Sequence, residues 1–425
     1  MIPGSRLSAF LTVVIAMTLF LSTLATAFAT AEADPFQNTW MRTDKAVHDG
    51  VVSRTWMWGP MDTAHDAMEP YAEAHEGQRM VMYFDKSRME INDPLGDRND
   101  PWHVTNGLLV IELMTGQRQL GDATFEPHQP AAIAVAGDLD DPNGPTYASL
   151  ASLRSAAPYA AGHTIVSRVN SAGVVSQDQS LASYGVTAAE RVTVPGIDHR
   201  VASVFWQFMN SSGTVWDDGF VTAPLFSNPY YATGFPITEA YWTTVEVAGT
   251  PRDVLLQCFE RRCLTFTPGN PIGWRVEAGN VGLHYVMWRY GVSGATTTAT
   301  IFMVALGDDG ASGMPVGCED SLIPVLRPVL ATHDPAQRVE FALNALFAVQ
   351  DQWYGESGLY NALHQSSLTI DSVNVVGGTA TVMLSGTASY GGVCDEPRLA
   401  EQIRQTVLNV PGITAAVVTL NGNPL

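Results

Sequence analysis

The sequence predicts a multidomain protein: a predominantly β N-terminal region with two related modules, plus a C-terminal α+β domain of two helices on a mixed sheet. Three observations carry that expectation. At 425 residues the chain exceeds one ordinary domain. The stretch Met80–Ile91, MVMYFDKSRMEI, is echoed by Val254–Phe266, VLLQCFERRCLTF; each is an apolar run, a charged tip and a second apolar run, the pattern of a β-hairpin. Residues 301–425 alternate strand-like runs with two stretches of helical spacing.

The echo has a fixed spacing. Phe84 to Phe259 and Gly107-Leu108 to Gly282-Leu283 share one offset, and Glu69-Pro70-Tyr71 precedes the first hairpin as Glu239-Ala240-Tyr241 precedes the second. A shared offset over separate motifs indicates duplication rather than chance composition.

Residues 1–31 read as a signal peptide or an N-terminal anchor. Arg6 gives a positive start, Leu7–Leu24 is almost unbroken apolar sequence, and Ala27-Phe28-Ala29 and Ala29-Thr30-Ala31 offer cleavage sites, so cleavage is favoured over anchoring. No Cys follows the apolar run to suggest a lipid anchor. The expected location is secreted or in the extracytoplasmic cell envelope, with membrane contact only through an uncleaved N-terminal segment.

From Phe36 to Val52, a mixed polar segment with Trp40 suggests an entry strand and loops. The first module covers 36–115. The segment 116–197 contains PAAIAVAGDL, TIVSRVNSAGVV and RVTVPGI, three expected sources of short strands. The second module covers 198–291, from FWQFMN to HYVMWRYG, and VSGATTT lies in a linker at 292–299. In 300–425, Ile301–Leu306 and Ile323–Leu330 suggest strands. Asp334 caps a helix with Pro335 in its first turn and Val339, Leu343 and Leu346 on one face. Ser372–Val376 and Thr379–Leu384 flank Gly377-Gly378 as a hairpin, Pro397–Leu408 carries Leu399, Ile403 and Val407 at helical spacing, and Ile413–Leu420 makes a last strand.

A formal charge of -20 without any long acidic run argues against nucleic acid or an anionic membrane as partner. Four cysteines in an exported chain favour disulfides. If Glu260-Arg261 is the hairpin tip, Cys258 faces Cys263 in a non-hydrogen-bonded pair, within bridging range. Cys318 and Cys394 then pair with each other. The first hairpin has Tyr83 and Arg88 at the two cysteine positions, so the bridge belongs to one copy.

On SLIPVLRPV, the ALNAL helix, LYNAL at Leu359–Leu363, the hairpin NVVGGTATVMLSG and the terminal VVTLNG, residues 301–425 resemble a GerMN domain of bacterial sporulation and germination proteins. That resemblance implies a non-catalytic envelope module, with ring building among the family's roles. Cys318, Cys394 and the GGVCDEPR entry to the second helix depart from the common pattern. Thr233-Gly234-Phe235-Pro236-Ile237-Thr238-Glu239, followed by a Phe-containing hairpin and a Gly-Leu closure, resembles the LGFP-type repeats of exported cell-wall proteins; the first copy lacks Gly-Phe-Pro. Such repeats imply tethering to the envelope.

Metalloprotease, serine-hydrolase, nucleotide and dinucleotide motifs are missing, and the histidines have no zinc-ligand spacing. No cofactor and no metal are expected. The sharpest catalytic reading pairs Glu239 with Glu260 across a glycosidic bond, with Trp206, Tyr241 and Trp242 as sugar-stacking faces. Both acids recur in the other copy as Glu69 and Asp85, which favours structural roles. The turn Gly137–Gly144 is acidic but lacks the sixth-position Gly and twelfth-position carboxylate of a calcium loop. Trp56, Trp58, Trp206, Trp274 and Trp288 are expected chiefly in the core, and Asp395 and Glu396 suit the start of a helix. The expected function is binding or scaffolding at the cell envelope, with a role in sporulation, germination or envelope assembly and a cell-wall glycan or an envelope protein as partner. Glu239, Tyr241, Glu260 and Trp206 are the candidate binding residues. The alternative is a glycan hydrolase using the paired carboxylates.

Overall fold

Asp34 and Pro35 start a helix where the sequence suggested a strand. In the computed structural model, which describes residues 34–425 apart from 140, 248 and 356, α1 spans Pro35–His48. The expected signal or anchor lies outside the described residues. The Asp34 carboxylate accepts from the Phe36 amide at 2.9 Å, Pro35 occupies the first turn, and Phe36, Trp40, Thr43 and Asp44 form the buried face.

The duplication is visible as two copies of one motif, a four-stranded antiparallel meander followed by a helix. In the first, β1 (His65–Pro70), β2 (Gln78–Phe84), β3 (Ser87–Ile91) and β4 (Thr105–Asn106) lie in sequence order, and α2 (Leu109–Thr115) ends at left-handed Gly116. Between the copies, β5 (Ser167–Val169) and β6 (Val175–Gln177) form a small hairpin, and α3 spans Ser203–Met209. The second copy has β7 (Tyr241–Val247), β8 (Thr250–Cys258), β9 (Cys263–Phe266) and β10 (Val276–Ala278), then α4 (Val281–Tyr290), ending at left-handed Gly291. β5 adds parallel to β7 and, with β6, widens this sheet to six strands.

The hairpin registers agree residue for residue. Tyr83 opposes Arg88 in the first copy, and Cys258 opposes Cys263 in the second. Each copy's helix sits on the other copy's hairpin tip: the Leu283 amide donates to the Asp85 carbonyl at 3.0 Å, and the Val110 amide to the Glu260 carbonyl at 3.2 Å. Gly282 permits the closest approach, since a Cβ there would lie 2.0 Å from the Phe84 carbonyl oxygen. With α2 and α4 also packed together, the copies interlock and share one apolar core.

Two of the three connecting segments form strands: TIVSRVNSAGVV supplies β5 and β6, and RVTVPGI supplies part of the ribbon Ala188–Val194 with Ile197–Ala202. PAAIAVAGDL does not. It makes a single bridge, Ala134 with Thr146, because its backbone is satisfied by scattered partners such as the Leu113 carbonyl and the Tyr147 amide rather than by a ladder. FWQFMN and HYVMWRYG are helical within the β-rich span.

The C-terminal region is α+β, with its strands divided between two sheets. β11 (Thr296–Ala305), β12 (Met314–Gly317) and β13 (Asp320–Leu330) form an antiparallel sheet ordered β11-β13-β12. β14 (Ser367–Val376), β15 (Thr379–Thr387), β16 (Ala415–Leu420) and β17 (Asn423–Pro424) form a mixed sheet in which β15 and β16 run parallel. β11 begins inside the expected linker, pairing Thr296 with Leu330. α5 (Pro335–Phe347), capped by Asp334, buries Val339, Leu343 and Leu346; α6 (Asp395–Leu408) buries Leu399, Ile403 and Val407. α5 also packs on β1, and Arg327 pairs with Asp66, so this region docks on the edge of the first meander.

Candidate functional site

Glu239 is fully buried, with both carboxylate oxygens engaged. One accepts from the Arg200 amide at 2.9 Å and faces His199 Nδ1 at 3.1 Å; the other accepts from the Tyr159 amide at 3.3 Å. Glu260 accepts from the Phe235 amide at 2.8 Å. No residue bonded to one carboxylate is bonded to the other. Tyr241 is buried in β7, and half-buried Trp206 lies on α3 with its ring 6.0 Å from Tyr230. These four residues hold separate parts of the second copy and line no common cleft among those described.

The Thr-Gly-Phe-Pro stretch has a physical reason. Thr233 and Phe235 carbonyls accept from the Arg261 and Glu260 amides, so the segment runs along the hairpin tip. Gly234 has φ +71, and a Cβ there would stand 2.8 Å from the Glu260 carboxylate, blocking its bond to Phe235. The first copy keeps this arrangement without the sequence. Trp58 takes the place of Thr233, accepting from the Lys86 amide at 3.0 Å, and Gly59, also at positive φ, packs on Asp85.

Pairing also corrects the Glu69–Glu239 echo. Arg79 opposes Glu69, and its counterpart Val254 opposes Thr243. Thr243 therefore occupies the position of Glu69, and Glu239 lies four residues earlier, before β7 begins.

Sequence reasoning missed the main polar feature. Arg79, Arg88 and Arg289 meet Glu69, Glu90 and Glu112 in the interior where the copies join. Arg88 lies 3.3 Å from Glu69, 2.5 Å from Glu90 and 3.3 Å from Glu112; Arg79 lies 3.1 Å from Glu90, and Arg289 3.3 Å from Glu69. Tyr83 donates to Glu69, Tyr285 to Glu112 at 2.5 Å and Tyr290 to Glu69 at 3.1 Å. The available signal was SRMEI, a strand with two charges and all five residues buried in a sparsely charged chain.

Burial alone would raise the Glu69 pKa, but the charges of Arg289, Arg88 and Arg79 hold it well below the usual carboxylate range. Burial and the Glu69 charge push Tyr83 well above its ordinary value, and burial takes Tyr290 up to about 12. These groups keep fixed protonation states near neutrality. They suit charge locking rather than proton transfer.

Beside this cluster, a cleft of about 320 Å³ is lined by Thr63, His65, Tyr83, Asp85, Leu283 and Ser293, among others. His65 is 9% exposed and its ring stacks on Tyr83 at 5.2 Å. Burial pushes its pKa down to about 4 against the opposing Thr63 backbone and Glu69 charge, so near neutrality the ring offers one donor and one acceptor. Glu239 in the second copy has both carboxylate oxygens engaged. No group of His, Cys, Asp and Glu with metal-holding geometry occurs among the described residues.

In the C-terminal region the sequence-expected bridge joins Cys318, in the turn between β12 and β13, to Cys394 at the start of α6; Cys258 and Cys263 are bridged as well. Asp395 accepts from Tyr360 at 3.0 Å and from the Gly391 amide at 2.8 Å, and Arg398 pairs with both Asp395 and Asp320. The acidic turn folds onto the β7–β8 hairpin: Asp141 accepts from the Glu246 amide and Asp138 from the Gly249 amide, each at 2.8 Å.

Two helices packed on paired small sheets define an α+β module. Residues 303–425 match the Germane family model, described as sporulation and spore germination, in accord with the GerMN resemblance. No curated protein and no solved structure matches the chain. These comparisons give no support to the LGFP-type resemblance. No helix among the described residues is long and apolar enough to cross a membrane.

Proposed function

We propose that this is a non-catalytic binding or scaffold protein of the bacterial cell envelope. Its interlocked repeats contact a cell-wall glycan or an envelope protein, and the Germane match of residues 303–425 supports a role in sporulation or germination, with envelope assembly as the other setting. The observation that carries this reading is the state of the two candidate acids: Glu239 is sealed and hydrogen-bonded on both oxygens, and Glu260 is committed to the Phe235 amide. A glycosidase acid must instead reach the leaving oxygen. Two disulfides are compatible with an oxidising, extracytoplasmic setting.

The test is co-sedimentation of the purified chain with cell-wall sacculi and envelope fractions, combined with a reducing-end assay. Retention in the pellet without new reducing ends is expected. Release of reducing ends that Glu239→Gln or Glu260→Gln abolishes would replace binding with hydrolysis, and failure to pellet with any fraction would remove the envelope role.

A further inference from the structure

We propose that the cleft beside Asp85 is a binding site for an alkylammonium group of the lysine type. It is separate from the glycan or envelope-protein contact proposed above and does not depend on it.

The two hairpin tips differ at this carboxylate. In the second copy Glu260 is committed to the Phe235 amide at 2.8 Å. In the first copy Trp58 and Gly59 take the places of Thr233 and Gly234, so Pro60 stands where Phe235 does. Proline has no N–H to donate. Asp85 is also one methylene shorter than Glu260, and the side-chain partner left to it is the exposed Thr63 hydroxyl. The adjacent Lys86 ammonium is spent elsewhere, on the Ala278 carbonyl at 2.7 Å and Asn280 Oδ1 at 3.1 Å. Burial raises the Asp85 pKa against the Lys86 charge and the Thr63 hydroxyl, as expected of a half-buried carboxylate short of positive neighbours. The first copy has thus lost the bond that fixes the acid of the second.

Asp85 lines the cleft of about 320 Å³ described above. That is near the lower end of the roughly 300–1,000 Å³ typical of ligand pockets, and suits one side chain rather than an extended polymer. Among the described lining residues Asp85 is the one carboxylate, and none is a lysine or an arginine. His65 in the same wall is neutral near pH 7, since burial takes its pKa down to about 4. The cleft therefore carries one negative charge without a direct ion pair, in a chain whose formal charge of -20 draws cations toward it.

The rest of the wall has two characters. Leu283 and Val286 of α4 give an apolar strip for a methylene stem, while Ser293 and Thr296 join Thr63 as hydroxyl acceptors. A lysine ammonium has three diverging donors on a flexible apolar stem, whereas the donors of a guanidinium are coplanar. One carboxylate with hydroxyls from separate segments matches the ammonium. A bare divalent cation needs more oxygen ligands of this strength, and no metal-holding group of His, Cys, Asp and Glu occurs among the described residues.

The test is isothermal titration calorimetry of the full chain, at low ionic strength, with N-acetyl-lysine amide. N-acetyl-norleucine amide, which keeps the stem and lacks the ammonium, is the comparison. Saturable binding of the lysine compound, about tenfold tighter than the norleucine compound or better, is expected. The isosteric Asp85→Asn should weaken it about tenfold or more. Ala295→Trp, at an exposed position of the lining, should block it by filling the cleft. Asp371→Asn, at an exposed carboxylate of the C-terminal sheet, should leave it unchanged. n-Butylamine separates the sources of the group: weaker binding than the lysine compound assigns a peptide-borne side chain and equal binding a free amine, each in support of the site. No saturable binding of the lysine compound, equal binding of the norleucine compound, or wild-type affinity in Asp85→Asn would overturn the assignment.

Discussion

The two hairpins carry one geometry and two chemistries. At the same cross-strand pair, the first copy has Tyr83 opposite Arg88 and the second has Cys258 opposite Cys263. Where the second copy closes the pair with a covalent bond, the first points a charge inward and surrounds it with Glu69, Glu90 and Glu112. The difference extends to the strand entries, with His65 beside an open cleft in one copy and Glu239 sealed in the other. Duplication preserved the backbone path and the tip contacts, while the side chains at equivalent positions diverged between a covalent staple and an ion lock.

The largest expected effect comes from breaking the ion lock. Arg88→Met leaves buried carboxylates short of a partner and should cost about 3–5 kcal/mol in urea unfolding. Converting Tyr83 and Arg88 together to Cys sharpens the comparison: the register favours a bridge, yet the buried glutamates still lose their arginine, so the oxidised variant should remain less stable than wild type. A variant as stable as wild type would mean that the network contributes little.

The two disulfides come next. Closing the 76-residue separation of Cys318–Cys394 should contribute about 4 kcal/mol, and closing the five-residue separation of Cys258–Cys263 about 2 kcal/mol, by loop entropy. Paired Cys→Ala replacements, compared by denaturant midpoint, check that order. Non-reducing peptide mapping checks the pairings.

A third expected effect is a pH dependence. Burial lowers His65 and His284 to about 4 in the fold, against roughly 6.5 unfolded, so the unfolded chain binds more protons between those values. Their contribution is full above about pH 6.5 and declines as the pH falls toward 4. Glu69, depressed by its arginines, adds stability that is present above its unfolded value of roughly 4.3 and is lost only in stronger acid. The denaturant midpoint should therefore fall from pH 7 to pH 5, and fall less in a His65→Gln, His284→Gln variant. Identical slopes would contradict the assignment.

Local signals in the sequence were legible where they were self-contained. Asp334-Pro335 and the Leu399–Ile403–Val407 stripe marked the two C-terminal helices, and the Phe-acid-base tips marked the repeat. The same Asp-Pro signal at Asp34-Pro35 marks α1, where the polar residues around Trp40 masked the helical spacing of the buried face. What stayed hidden depends on long-range contact. Arg289 and Glu69 are distant in sequence and meet only because α4 crosses onto the first copy. Gly59 matches Gly234 through backbone geometry alone, since Gly-Pro stands where the second copy has Gly-Phe-Pro. Glu69 and Glu239 looked equivalent because both precede a hairpin, but strand pairing sets them four positions apart.

The two copies form one interlocked body, each helix seated on the other copy's hairpin. A protease site inserted after Ala172, in the exposed turn between β5 and β6, tests it directly, because both disulfides lie on the C-terminal side of the cut. After complete cleavage and non-denaturing size exclusion, the two fragments should elute together at the position of the uncut chain. Separation into two folded fragments would show that the copies are independent domains and would contradict the claim.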